Sequence, residues 1–107
     1  MRVDVVVSGD RALDEPLAAL VSAAAEAVRN AARHSGAPEV AVYVELGAQP
    51  VVFVRDRGRG FDPDAVPPDR RGIAESVRGR LRRHGGQALL RTAPGQGTEW
   101  ELRLGAS

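Results

Sequence analysis

The segment VVFVRDRGRGFDPD, residues 51–64, places a carboxylate at the end of an apolar run, followed by two glycines at alternate positions. A carboxylate such as Asp56 accepts a hydrogen bond from an exocyclic amine, and in a pocket this contact distinguishes adenine from a base without that donor. Gly58 and Gly60 allow the backbone to approach a ligand closely or to adopt positive φ. A plain turn after a strand has the same pattern, so this segment alone does not establish a binding site.

A second polar set lies farther upstream, where Glu26, Asn30 and His34 are spaced four residues apart. In a helix this spacing offsets successive side chains by only about 40°, so the three form a ridge along one face. A solvent-facing helix surface often carries such residues. Asn30, however, has poor helix propensity, and its amide oxygen suits a metal ion that bridges phosphates.

Two further glycine segments follow in the chain. Gly72, in RRGIAES, is predicted to lie where a loop enters a helix. The free N–H groups and the positive dipole end at such a position favour phosphate. The segment GQGT, residues 95–98, is predicted to be a turn that leads into a strand. Each segment also fits an ordinary helix start or hairpin loop, so only the occurrence of all four segments in order indicates a binding site.

Apolar periodicity predicts the elements that position these segments. We expect a strand over 3–7, a helix capped by Asp14 and ending near His34, a hairpin of EVAVYVEL and VVFVRD, a helix over about 73–84, and strands ALLRT and TEWELRL. The first helix should bury one stripe, made of Leu17, Leu20, Val21, Ala24, Val28 and Ala31. The predicted fold class is α+β, a two-layer sandwich with helices on one face of a mixed sheet.

The last strand alternates apolar or small residues with charged ones, which predicts that Glu99, Glu101 and Arg103 face solvent. The segment from Phe61 to Arg71 contains three prolines and three aspartates, and it is predicted to be the only long loop. The part from Asp62 to Arg71 lies between two glycine segments, and its length, prolines and position suggest a lid.

The composition limits the class of protein. A chain of 107 residues fits one domain, 1–107, with one core. A net charge of +1 gives no case for a nucleic-acid partner, and no apolar run approaches the roughly 20 residues of a membrane span. The absence of Cys excludes disulfides and permits a reducing compartment, and the start at Met1 lacks a secretion-signal pattern, so we expect a cytoplasmic domain without membrane contact.

Taken together, the four segments resemble the ATP-binding domain of the GHKL (Bergerat-fold) ATPases. EAVRNAARH is similar to the asparagine box, DRGRG to the first glycine box, GIAESVRGR to the second and GQGT to the third. The resemblance extends from about Leu17 to Leu104. Within this superfamily the chain most resembles actinobacterial sensor histidine kinases, of the class that pairs with LuxR-type response regulators.

The resemblance implies roles for individual residues. Asp56 would accept the adenine amino group, above a base pocket shaped by Gly58 and Gly60. Asn30 would hold a magnesium ion between the phosphates. Thr98 would support Asp56 through its hydroxyl or a shared water.

The remaining implied contacts concern the sugar and the phosphates. Arg33 would pair with phosphate as a fork-shaped donor, and His34 would lie against the base or sugar. Gly72 and Ile73 would cap the phosphates with backbone N–H groups. Glu26 matches the carboxylate that acts as general base in hydrolysing relatives, but in histidine kinases the nucleophile is a histidine of another domain, so its role here is open. The short lid and the lack of a phenylalanine box other than Phe61 prevent any transfer of lid contacts.

The function implied is that of a sensor histidine kinase catalytic domain, which binds ATP and Mg²⁺ and phosphorylates a histidine on a separate dimerisation domain. His34 and His84 both lie in positions unsuited to an exposed phosphoacceptor, so we expect the chain to be part of a longer sensor kinase, whose parent can be membrane-anchored and which acts on a response regulator indirectly. Two alternatives stay open: a free-standing serine kinase of the anti-sigma-factor type, and an ATP-gated binding module without phosphotransfer.

Overall fold

The computed structural model of the chain describes residues 1–65 and 68–105, except the side chains of residues 63, 68–71 and 73. Its elements are β1 (Arg2–Ser8), α1 (Glu15–His34), β2 (Glu39–Glu45), β3 (Val51–Asp56), a 3₁₀ turn (Pro63–Ala65), α2 (Pro68–Arg82), β4 (Gln87–Thr92) and β5 (Thr98–Arg103). All five predicted strands and both helices are present, and the α+β two-layer sandwich is confirmed.

The five strands form one sheet in the order β1-β2-β3-β5-β4. β1 pairs with β2 in parallel, and the other three pairs are antiparallel, so the sheet is mixed. In this order β3 is the middle strand and β5 is its interior neighbour, and the register places Asp56 directly opposite Thr98. The sheet therefore brings together Asp56 and Thr98, which belong to two separate glycine segments of the sequence.

The start of α1 follows from local chemistry. The side chain of Asp14 accepts a hydrogen bond of 2.9 Å from the backbone N–H of Leu17, and Pro16 lies in the first turn. This contact satisfies one of the helix's free N–H groups and lowers the pKa of the Asp14 carboxyl. The cap therefore defines the residue at which α1 begins.

The buried side of α1 is broader than the predicted stripe. Ala23 and Ala27 are almost completely buried, whereas Val21 is 55% exposed, so its assignment to the core was wrong. The reason is that α1 packs against α2 as well as against the sheet, and the small alanines face these neighbours. Val21 lies instead beside a shallow apolar groove that α1 shares with β1.

Two other expectations differ from the structure. Glu101 is buried instead of exposed, because Arg91 and Arg103 both pair with its carboxylate on the outer face of the sheet. The Arg103 hydrogen bond is the main cause of the lowered pKa of Glu101. The second helix begins at Pro68, five residues earlier than predicted, and a 3₁₀ turn precedes it, so the predicted loop from Phe61 to Arg71 is partly helical. Proline is compatible with a first helical position, since its missing N–H has no partner to lose there.

The core lies between the inner face of the sheet and the two helices. Its completely buried large side chains are Leu20, Leu81, Leu102, Val40, Val52 and Val77. Leu20 of α1 belongs to the same buried cluster as Val52 and Leu102 of the two central strands. Its packing therefore contributes to the position of α1 on the sheet.

Replacing Leu20 with Ala should lower the free energy of unfolding by about 2–5 kcal/mol, because a side chain with no exposed surface leaves a cavity. The matched control is Leu13→Ala, since Leu13 is 74% exposed and its truncation should change stability by less than about 0.5 kcal/mol. Urea denaturation followed by circular dichroism measures both. Equal losses in the two variants would contradict this assignment of the core.

Candidate functional site

A small cavity lies where the C-terminal half of α1 meets the end of β3 and the start of β5. Its volume is about 10 Å³, and its lining consists of Asn30, Ala31, His34, Ser35, Asp56, Gly60, Phe61 and Thr98. This volume is about that of one water position. The structure thus brings together five of the predicted site residues, Asn30, His34, Asp56, Gly60 and Thr98, around a space that is smaller than a purine ring.

Asp56 is the buried acceptor of this site, with only 6% of its surface exposed. Its Oδ1 atom accepts a hydrogen bond of 2.9 Å from the backbone N–H of Gly58, and the backbone N–H of Thr98 also bonds to the carboxyl. Burial nevertheless raises the pKa of Asp56 above its ordinary value of 3.8. A carboxyl held in this way is an oriented acceptor in a poorly solvated place, which suits recognition of a donor on a flat ring.

Asn30 contributes a second unusual group. Its side-chain oxygen Oδ1 is buried and has no hydrogen-bond partner, although a buried amide oxygen normally has one. Within the part of the chain that the structure describes, no three His, Cys, Asp or Glu side chains converge to hold a metal ion. A magnesium ion at this place would therefore take one oxygen from Asn30 and the others from phosphates and water, which fits the preference of Mg²⁺ for few protein ligands.

The glycines of the first glycine segment are required by close contacts within the protein. A Cβ atom added to Gly58 would lie 2.2 Å from the carbonyl oxygen of Ser35, and one added to Gly60 would lie 2.1 Å from that of Ala93. Gly60 also has a φ of 58°, which disfavours other residues. The sequence indicated close approach to a ligand or a positive φ; Gly60 has the positive φ, and the close approach that the structure shows is to the protein's own backbone at Ser35 and Ala93.

Two residues that the sequence did not single out hold this region together. Ser35, just after α1, is buried, and its carbonyl oxygen accepts a 2.9 Å hydrogen bond from the backbone N–H of Arg59. The Thr92 hydroxyl lies 3.2 Å from the backbone N of Phe61, 2.8 Å from the Gly97 carbonyl oxygen and 3.0 Å from the Thr98 hydroxyl. Thr92 therefore connects the first and third glycine segments. The only signal in the sequence was its place opposite Thr98 in a predicted hairpin.

The other predicted site residues lie outside the lining of this cavity. Arg33 is exposed near the end of α1, and Glu26, one turn before Asn30, contacts α2. Gly72 lies inside α2 instead of at its start, because the helix begins at Pro68. The side chain of Ile73 is outside the described residues.

Comparison with known proteins identifies the family and agrees with the fold. The profile of the family "Histidine kinase-, DNA gyrase B-, and HSP90-like ATPase" matches residues 17–107. A search of curated proteins gave no match. The chain is similar to the histidine kinase domain of the blue-light activated histidine kinase from Erythrobacter litoralis EL346, with a TM-score of 0.77 and 22% identity over 96% of this chain and 50% of that one.

Two further structures share the fold. The histidine kinase AdeS from Acinetobacter baumannii has a TM-score of 0.72 and 15% identity over 96% of this chain and 53% of that one. The ATP binding domain of PrrB from Mycobacterium tuberculosis has a TM-score of 0.63 and 26% identity over 95% of this chain and 79% of that one. The chain thus spans about half the length of the first histidine kinase structure that it matches. Because the family profile covers most of the sequence and the cavity lies among its matched residues, the chain belongs to the histidine kinase-, DNA gyrase B- and HSP90-like ATPase family.

Proposed function

We propose that the chain is the ATP-binding catalytic domain of a two-component sensor histidine kinase. In this role it binds Mg-ATP and donates the γ-phosphoryl group to a histidine on a separate dimerisation domain, and a response regulator then receives the phosphoryl group. The observation that supports the proposal most is the pairing of a buried Asp56 carboxyl with an unpartnered Asn30 oxygen around one cavity. We place this domain in the cytoplasm and, with its 26% identity to the mycobacterial PrrB domain, among the actinobacterial kinases.

Different residues of the cavity bind different parts of Mg-ATP. Asp56 accepts a hydrogen bond from the adenine amino group, and Thr98 supports it from the neighbouring strand. Asn30 holds Mg²⁺, which neutralises charge on the phosphates. Because the cavity holds only about one water, nucleotide binding must widen it, and Phe61 and His34 are the large side chains that line it and must shift.

The phosphates extend beyond the cavity in this proposal. Arg33 is exposed close to His34 and can reach toward a phosphate. Gly72 and Ile73 lie within α2, so their N–H groups have partners in the helix, and a phosphate contact at these two residues requires the first turns of α2 to rearrange. Without such a rearrangement, the groups that can face an anion are the backbone N–H groups in the first turn of α2, which have no partner within the helix.

Replacing Asp56 with Asn exchanges one acceptor oxygen for a donor of the same size. The affinity for ATP should fall by about 2 kcal/mol, or roughly thirtyfold, because a buried hydrogen bond to a charged group is lost. Calorimetric titration with a non-hydrolysable ATP analogue measures this loss. The matched control is Asp10→Asn, since Asp10 is exposed and follows β1 at the end of the sheet opposite Asp56.

The stability of Asp56→Asn shows whether a loss of ATP affinity comes from unfolding. The folded-state pKa of Asp56 is raised, so this group favours folding below about pH 3.8, and that contribution is lost as the pH rises through the raised value. Asp56→Asn removes a buried charge, so at neutral pH the variant should be at least as stable as the wild type. Unchanged ATP affinity in this folded variant would contradict the role of Asp56.

Replacing Asn30 with Ala should separate binding from stability. The variant loses a buried oxygen without a partner and gains helix propensity, so its melting temperature should not fall. Its affinity for Mg-ATP should fall at least about tenfold, whereas binding of adenosine, which has no phosphate, should change less than twofold. Calorimetry with both ligands measures this, and Gln87→Ala, at the far end of β4, is the control. An equal loss for adenosine and Mg-ATP would mean that Asn30 does not hold the metal.

Phosphoryl transfer requires an in-line acceptor, so the isolated chain should bind ATP and transfer almost nothing. Incubation with γ-labelled ATP, with and without a dimerisation helix pair from the parent protein, tests this expectation. Acid-labile label on the helix pair is the expected result. Acid-stable label on a serine of a partner would favour the anti-sigma-factor type of kinase, and ATP binding without any labelled product would favour a binding module.

A further inference from the structure

The Glu26 carboxylate is engaged by the second helix. Glu26 Oε2 accepts a hydrogen bond of 3.2 Å from the Ser76 hydroxyl and lies 3.3 Å from Arg80 Nη1. The same Arg80 nitrogen donates to the Ser22 hydroxyl at 3.0 Å, and the other terminal nitrogen lies 3.5 Å from the Ser76 hydroxyl. Four polar side chains, two from α1 and two from α2, thus form one network, which we call the interhelical clamp.

The clamp is more constrained than an ordinary surface ion pair. The Glu26 side chain is only 19% exposed and that of Arg80 is 34% exposed, whereas exposed pairs are largely screened by water. On α2, Val77 and Leu81 follow Ser76 and Arg80 in sequence, and both are completely buried in the core. Since the apolar side of α2 is already fixed by packing, the clamp residues have little freedom to turn away.

The position of Glu26 relative to the cavity gives the clamp its significance. Glu26 precedes Asn30 by four residues, which places it about 6 Å along α1 on the same ridge. The groups proposed to contact the base, Asp56 and His34, line the cavity on the side of Asn30 away from Glu26, so a triphosphate that passes Asn30 extends toward Glu26. An unengaged carboxylate there would lie next to the terminal phosphate and any water beside it.

We propose that Arg80 and Ser76 are positioning residues. They hold the Glu26 carboxylate against α2 and thereby prevent it from activating water. This inference rests on the proposed function. In the suppressed reaction, the oxygen of water forms a bond to the γ-phosphorus, and the bond from that phosphorus to the β,γ-bridging oxygen breaks. The electron pair leaves with ADP, and the water's proton passes to the Glu26 carboxylate and then to solvent.

The clamp prevents this reaction by geometry. Oε2 of Glu26 already receives a hydroxyl hydrogen bond and faces a guanidinium, both from α2, so this oxygen is occupied and the carboxylate is held against α2. A kinase domain retains its donor nucleotide only if water is a poor competitor of the histidine acceptor. The clamp accordingly conserves ATP until the acceptor domain is in place.

The test compares ATP hydrolysis by the chain with that of Arg80→Met. The variant keeps a similar length without charge and should hydrolyse ATP at least about tenfold faster, a modest part of the roughly 10²–10⁴-fold that a positioned base provides. The double variant Arg80→Met with Glu26→Gln should return to the wild-type rate. Arg80→Lys, which keeps the charge, should stay slow, and Ser76→Ala should show a smaller increase.

Arg82→Met is the matched control, because Arg82 is an exposed residue of the same helix, and it should hydrolyse at the wild-type rate. No increase in Arg80→Met, or an increase that persists without Glu26, would overturn the inference. If Arg80→Met does not fold, Ser76→Ala gives the same comparison with a smaller expected increase. Calorimetry on the wild type separates the two levels: failure to bind Mg-ATP overturns the proposed function, whereas normal binding with unchanged hydrolysis overturns only the role of the clamp.

Discussion

The contact of α1 with its neighbours is the constraint on which the rest of this structure depends. Seven residues of the helix are buried, and four of the central ones, Ala23, Ala24, Ala27 and Ala31, are alanines that permit close packing. A helix packed this closely has one possible rotation, and that rotation directs Asn30 into the cavity. The buried oxygen without a partner is a local cost in free energy that the surrounding apolar contacts offset.

Local signals predicted much of the fold. The Asp14 cap and the alternation of β5 depend on nearest neighbours, so the strands and the first helix were found nearly residue by residue. The start of α2 was missed because proline was interpreted as a loop former, although it also fits a first helical turn. Val21 was placed in the core because periodicity alone cannot tell which of two apolar sides faces the neighbouring helix.

Several residues of the candidate site could be predicted from the sequence, whereas the hydrogen bonds that connect them could not. Asp56 was found because it precedes two glycines at alternate positions, and Asn30 because asparagine has poor helix propensity. Thr92 and Ser35 were missed because their hydrogen bonds reach residues far along the chain, at Phe61 and Arg59. The interhelical contacts of Glu26 could not be predicted from the sequence either, since Ser76 is 50 residues away. Long-range pairs of this kind arise from packing and leave no periodic pattern.

The first strand has a consequence for how the isolated chain behaves in concentrated solution. β1 is paired on one side only, and its valines, Val3, Val5, Val6 and Val7, are each 46–57% exposed. An open row of backbone donors and acceptors beside β-branched side chains is a template for strand addition and cross-β stacking. Arg2 precedes this stretch and Asp4 interrupts it, and both charges act as gatekeepers against aggregation. Neutralising them would favour fibrillar assembly through this edge while the nucleotide cavity at the other strands stays intact.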